Sequence, residues 1–123
     1  MNYTGHLAKY NNNKKLIKTL EGYNSAFNDW IVTSAFYSAL HLVDGTILES
    51  SENQLKPKDH KTREKYLTKI GKLKNIRNEY QALYFLSCKS RYECVKIKDR
   101  EKRESLEYLK IIEGELLENW IAL

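Results

Sequence analysis

Three polar clusters in this chain carry the residue types that bind or transform anionic ligands. The first lies in an apolar stretch, where Tyr37, His41 and Asp44 are spaced i, i+4 and i+7 and so share one face of a helix. The second is the segment 59–63 (DHKTR), and the third is the segment 90–93 (SRYE). A buried phenol, imidazole or carboxylate costs free energy unless it has a partner. The chemistry of the chain therefore depends on whether folding brings these clusters together.

The side chains best suited to hold a phosphate are in the second and third clusters. His60 and Arg63 are three residues apart near a predicted helix start, where they can share a face beside free backbone N–H groups. The planar fork of arginine matches phosphate geometry, so we predict His60 and Arg63 as direct contacts and Arg91 as a further clamp. Tyr37 and His41 would orient the pocket from the core. The full predicted ligand-binding set is Tyr37, His41, His60, Arg63, Arg91 and Tyr92.

Each of these clusters also has a purely structural interpretation. His41 can be a core histidine that is bonded to a carbonyl or a tyrosine. His60 can belong to an exposed polar helix start, and Arg91 can bond the last carbonyls of the preceding helix. The residues alone leave these alternatives open, and His60, Arg63 and Arg91 are the candidates for catalysis if there is any.

Metal and hydrolase motifs are not found in the sequence. Its three histidines, His6, His41 and His60, include no pair at i+3 or i+4. There is no CxxC, HExxH or phosphate-binding glycine loop, and no serine lies on a recognisable nucleophile elbow. We therefore expect no metal site and no cofactor.

Length and composition favour a single helical domain over residues 1–123. One proline and five glycines are too few for the many turns of an all-β fold. No apolar run reaches the roughly 18 residues of a membrane span, and the N-terminus lacks the apolar stretch of a signal peptide. Cys88 and Cys94 have no metal-ligand spacing and are expected to be reduced thiols. We predict a cytoplasmic protein that does not associate with membranes.

The net charge of +5 is unevenly distributed. The segment 56–77 has nine Lys or Arg against Asp59 and Glu64, a balance of +7, whereas the segment 101–123 has a balance of −3. A basic surface of this kind attracts nucleic acid or phosphate. The alternative is that the lysines only solvate helix faces. Tyr66 is the single aromatic residue in the basic segment, so the segment offers little for base stacking.

Apolar residues recur at helical spacing and predict an all-α, up-and-down bundle of four to five helices with antiparallel neighbours. Trp30 is expected to be mostly buried in the second helix. The expected helices cover about 4–21, 24–49, 59–71, 72–89 and 99 onward, and residues 91–98 form a connection. The expected terminal residues are a left-handed Gly22 after the first helix and the N-caps Asn24 or Ser25, Asp59 and Asp99.

The order of the motifs resembles the HEPN superfamily (higher eukaryotes and prokaryotes nucleotide-binding), and within it the small stand-alone proteins of bacteria and archaea. The resemblance covers about 24–117. It rests on the segment 35–41 (AFYSALH), the turn 58–60 (KDH), and the segment 83–86 (LYFL) that leads to the Arg-Tyr pair at 91–92. An amphipathic final helix follows.

This resemblance implies a helical bundle that is often dimeric and that acts in toxin–antitoxin, defence or RNA-processing systems. Active HEPN ribonucleases use an arginine followed four to six residues later by a histidine, usually paired across a dimer. In this chain the first arginine, Arg63, comes after the last histidine, His60. The usual metal-independent ribonuclease site is therefore absent from the sequence.

We predict a HEPN-like homodimer that binds RNA, a nucleotide or a partner protein without catalysis. One alternative is a ribonuclease with a relocated site, in which His60 is the general acid or base and Arg63 or Arg91 stabilises the charge on phosphorus. Another is a pure interaction module whose helix faces dock a protein such as a nucleotidyltransferase-type antitoxin.

Overall fold

The computed structural model describes residues 2–50, 59–93 and 95–117. These ranges contain α-helices and one short 3₁₀ helix, and they contain no strand. The predicted all-α bundle is confirmed. The elements are α1 (Tyr3–Glu21), a 3₁₀ helix (Ser25–Phe27), α2 (Asn28–Ser50), α3 (His60–Lys69), α4 (Gly71–Lys74), α5 (Arg77–Tyr92) and α6 (Asp99–Leu116).

Helix α2 forms the centre of the bundle. Fourteen of its 23 residues are buried, because α1, α5 and α6 all pack against it. The inward positions include Ile31, Ala35, Leu42 and Ile47, each at most 1 % exposed. Helical spacing brings these residues onto the faces that the neighbouring helices cover.

The apolar character of α2 is explained by this burial. The stretch Ser25–Ser50 is long and apolar enough to cross a membrane by length and composition alone. In the bundle, however, 72 % of its most apolar window is buried inside the protein. That is typical of the core helix of a soluble protein.

The prediction that Trp30 is buried is wrong. The side chain of Trp30 is 57 % exposed, whereas its neighbour Ile31 is 1 % exposed. Adjacent residues on a helix point about 100° apart, so only one of the two can face the core. Trp30 lies on the same stripe as Tyr37, which faces the space between α2 and α5.

The expected helix over 72–89 is divided in the structure. The one-turn helix α4 ends at Lys74, and α5 begins at Arg77 and extends to Tyr92. Leu73 and Ile76, on either side of the bend between α4 and α5, are both fully or almost fully buried in the core. Tertiary packing thus overrides a locally continuous helical pattern. The predicted connection starts after Tyr92 rather than at residue 91.

The helix ends agree in part with expectation. The side chains of Asn24 and Asp59 accept hydrogen bonds from backbone N–H groups, at 3.2 Å from Ala26 and 2.8 Å from Thr62, and so act as N-caps. Gly22 has φ −69° and ψ −15°, so it is not left-handed. The last helix has Lys98 at its N-cap instead of Asp99, and the Glu101 carboxylate accepts from the Lys98 N–H at 3.0 Å.

Three expectations lie outside the described residues. They concern the polar loop around Pro57, the second cysteine Cys94, and Trp120 as a core position of the last helix. Cys88, in α5, is a free thiol that is partly exposed.

The adjacent pair Trp30 and Ile31 provides a direct test of the packing of α2. Ile31→Ala should lower the free energy of unfolding by about 2–5 kcal/mol, because it removes a fully buried side chain. Trp30→Ala should lower it by less than about 1 kcal/mol, since surface substitutions usually have small effects. Urea unfolding of both variants measures the difference. Equal losses would contradict the observed orientation of α2.

Candidate functional site

All six residues of the predicted ligand-binding set line one cleft of about 420 Å³ between α2, α3 and α5. We call it the Arg91 cleft. Phe36, Leu40 and Tyr84 complete its wall. The three polar clusters, which are far apart in the sequence, therefore meet in space.

Arg91 lies in the last turn of α5 and is held by neutral groups. Its Nε donates to the Ser87 carbonyl at 3.2 Å, and its Nη2 donates to the Ser87 hydroxyl at 3.1 Å. Its Nη1 donates to the hydroxyls of Tyr37 and Tyr92, at 3.2 and 3.1 Å. The two bonds to Ser87 agree with the structural interpretation of Arg91, whereas Nη1 bonds to two side chains that line the cleft.

Aromatic rings surround the same guanidinium. The Cζ of Arg91 lies 5.3 Å from the ring centroid of Phe36, 5.5 Å from that of Tyr37 and 4.8 Å from that of Tyr92. Such contacts hold a cation in place without neutralising it. Among the described residues, no carboxylate forms an ion pair with Arg91. Its positive charge is therefore positioned and uncompensated.

Arg63 lines the same cleft but has a different partner. Its Nε and Nη2 donate to the two carboxylate oxygens of Asp44 at 2.7 and 2.9 Å, and the two side chains are only 14 % and 6 % exposed. Burial acts to lower the pKa of Arg63, but the bonds and charge of Asp44 outweigh it and raise that pKa. The predicted bidentate contact of Arg63 with a ligand phosphate does not fit this geometry, because Asp44 already occupies the fork.

His60 is the first residue of α3 and stacks on Tyr84. The ring centroids are 3.7 Å apart and the planes differ by 7°. Its Nδ1 is buried without a hydrogen-bond partner among the described residues. Burial lowers the pKa of His60 below its ordinary value, so the imidazole is mostly neutral at pH 7.

His41 forms a pair that the sequence did not predict. Its Nδ1 lies 3.0 Å from the Nδ1 of His6 in α1. Burial, helped by the charges of His6, Lys9 and Arg63, lowers the pKa of His41 to about 4. The interpretation of His41 as a partnered histidine is thus supported, with an imidazole as the partner. His6 carries no sequence signal, since it is 35 residues away in a polar segment, whereas Asp44 was visible on the stripe of α2.

The electrostatics of the Arg91 cleft favour an anion. Its lining contains two arginines and no carboxylate, and the ion pair of Asp44 neutralises Arg63 alone. Phenol hydroxyls and neutral imidazoles supply further hydrogen-bonding groups around a phosphate or carboxylate. Within the described ranges there is no group of three or more residues that could hold a metal ion.

No protein-family model matches this chain, and no curated protein or solved structure is significantly similar to it. The HEPN resemblance therefore remains a prediction. Two structural observations bear on the function: the three polar clusters meet in one cleft, and the charge of Arg91 in that cleft is uncompensated.

The ion pair between Asp44 and Arg63 should be essential for stability. Asp44→Ala leaves a buried guanidinium without its counter-charge and should lower the free energy of unfolding by about 3–5 kcal/mol. The double change Asp44→Leu with Arg63→Met should recover most of this loss. As a control, Glu104→Ala breaks the exposed pair with Arg100 and should cost at most about 1 kcal/mol. Urea unfolding measures these changes, and equal losses of stability in Asp44→Ala and Glu104→Ala would contradict this role.

The low pKa of His41 makes stability depend on pH. The folded pKa of about 4 lies below the ordinary value of 6.5, so protons bind more readily to the unfolded chain. The contribution of neutral His41 is fully present above about pH 6.5 and should be lost progressively as the pH falls to about 4. The slope should stay below roughly 1.4 kcal/mol per pH unit, because the titration of one imidazole exchanges at most one proton.

His41→Gln isolates this effect, since glutamine does not titrate. Subtracting its unfolding free energies between pH 4 and 8 from those of the wild type leaves the titration of the His6–His41 pair, because groups that do not contact this pair, such as His60, contribute equally to both proteins. A difference that does not change with pH would contradict the shifted pKa of His41.

Proposed function

We propose that this chain is a HEPN-like helical-bundle protein that binds a phosphate-bearing ligand, RNA or a nucleotide, in the Arg91 cleft without cleaving it. The observation that carries the proposal is the guanidinium of Arg91, which is partly buried, fixed by hydroxyls and rings, and not neutralised by any described carboxylate. A positioned charge without a counter-charge is suited to an anionic ligand, because the ligand supplies the missing partner.

A basic face of α3, the helix that carries His60 and Arg63, supports a polyanion as the ligand. Lys61, Lys65 and Lys69 are exposed, and their spacing of four residues places them along one face of α3. Within the described ranges none of them forms an ion pair. These lysines would attract RNA at long range and make binding weaken steeply with salt, since counterions are released.

The two imidazoles of the cleft support binding without cleavage. Cleavage of RNA by general acid–base catalysis needs one group that is protonated and one that is not. The pKa values of both His41 and His60 are lowered, so neither supplies a protonated imidazole at pH 7. The missing arginine-before-histidine order agrees with this.

The proposal extends to the biological setting that the resemblance implies. The protein would act in the cytoplasm, as a homodimer, within a toxin–antitoxin or defence system, with a nucleotidyltransferase-type antitoxin as a fitting partner. A ribonuclease with a relocated site is the second candidate. It is favoured by the unpartnered Nδ1 of His60, which could accept a proton from a ribose hydroxyl.

Arg91→Gln tests the proposal, with Arg100→Gln as the matched control. Both remove one positive charge, but the side chain of Arg100 is 79 % exposed and paired with Glu104. Arg91→Gln should weaken binding of a nucleoside monophosphate and of single-stranded RNA by about 10- to 100-fold, as expected for a charge-assisted bond. Arg100→Gln should change it by less than about 3-fold. Titrations at two salt concentrations measure both effects.

Three other outcomes would overturn parts of the proposal. Equal losses in Arg91→Gln and Arg100→Gln would reduce binding to general charge attraction. RNA cleavage that survives EDTA and disappears in His60→Ala would favour the relocated ribonuclease. No binding of nucleotide or RNA by the wild type would favour a pure protein-interaction module.

A further inference from the structure

A second cleft of about 450 Å³ adjoins the Arg91 cleft along α2 and α5. We call it the Trp30 cleft. Tyr37 and Arg91 line both clefts, so the two clefts adjoin at this hydrogen-bonded pair, and together we call them the groove. The complete lining of the Trp30 cleft is Asp29, Trp30, Thr33, Tyr37, Ser90 and Arg91.

The chemistry of the Trp30 cleft differs from that of its neighbour. It has a carboxylate, that of Asp29, which repels a phosphate. It also has two hydroxyls, of Thr33 and Ser90, which bond to each other at 2.8 Å. The indole of Trp30 is 57 % exposed and offers a flat apolar surface at the mouth. This end of the groove suits a flat ring with polar edges better than an anion.

We propose that the Trp30 cleft holds the base of the nucleotide whose phosphate lies at Arg91. This inference rests on the function proposed above and adds a base-binding subsite to it. Trp30 is the stacking surface, because every nucleobase has a face that stacks on an aromatic ring. The residues Trp30 and Tyr37 are seven apart, about 10 Å along the helix, a length that fits one nucleotide.

Asp29 gives the subsite a preference among bases. A carboxylate accepts hydrogen bonds and donates none, so it favours an exocyclic amino group, as on cytosine or adenine. Uracil presents a carbonyl oxygen at the position where cytosine carries its amino group, and it would be repelled. The subsite therefore prefers cytidine and adenosine nucleotides over uridine nucleotides.

A protein partner is the competing occupant of this surface, because exposed tryptophan is also common at interfaces. Two features favour a base. Arg91, with its uncompensated charge, is one of its lining residues, and its wall combines a carboxylate with a hydroxyl pair instead of a broad apolar patch.

The test compares four probes: cytidine monophosphate, uridine monophosphate, ribose 5-phosphate and cytidine. Trp30→Ala should weaken the binding of cytidine monophosphate by about 5- to 100-fold, the range measured for base stacking. The affinity for ribose 5-phosphate should not change. Trp30→Tyr should restore most of the affinity. Phe85→Ala, which removes an aromatic ring that is 71 % exposed outside this cleft, is the control and should have no effect. Asp29→Asn should remove the preference for cytidine monophosphate over uridine monophosphate.

The outcomes separate this inference from the proposed function. If ribose 5-phosphate binds in an Arg91-dependent way but Trp30→Ala changes nothing, the base subsite is overturned and the phosphate site stands. If ribose 5-phosphate does not bind but cytidine binds through Trp30, the subsite stands and the phosphate site fails. If no probe binds the wild type, or if Trp30→Ala only disrupts self-association in sedimentation, the surface is a protein interface and the inference is wrong.

Discussion

The buried ion pair between Asp44 and Arg63 holds the short helix α3 against the core helix, and the Arg91 cleft depends on it. Helix α3 buries only one side chain fully, that of Leu67, so apolar packing alone anchors it weakly. Polar links supply the rest. Arg63 reaches Asp44 in α2, and Glu64 accepts from Gln81 in α5 at 3.0 Å. Because His60 begins α3, this anchoring also sets its stack on Tyr84.

The same constraint explains why two arginines in one cleft have different roles. Arg63 meets a buried carboxylate that takes its fork and neutralises its charge. Arg91 meets hydroxyls, a carbonyl and aromatic faces, which orient the guanidinium but leave the charge in place. The difference is in the partner and not in the side chain. It makes one arginine part of the structure and the other available to a ligand.

Helix α2 supplies both the core and the floor of the groove. Its apolar faces are covered by α1, α5 and α6, and one polar stripe remains for chemistry. Along that stripe Trp30, Tyr37 and Asp44 follow at intervals of seven, close to two helical turns. This spacing gives the groove an aromatic end, a central hydroxyl and an ion-pair anchor in sequence. The order of these three groups along the groove therefore follows from the sequence of α2 alone, although the opposite wall comes from α3 and α5.

The sequence by itself determined the helical class, most helix positions and the three clusters that form the cleft. These depend on local physics: apolar residues at helical spacing, and the Asn24 and Asp59 side chains that bond their own helix N-termini. Only the tertiary structure decided which groups pair. Arg63 pairs with Asp44, and His41 contacts His6, because folding brings residues of other helices next to them. Trp30 is exposed because the other helices leave its face of α2 uncovered. The local pattern determines which residues share a face of a helix. Packing against other helices determines whether that face contacts a core partner or solvent.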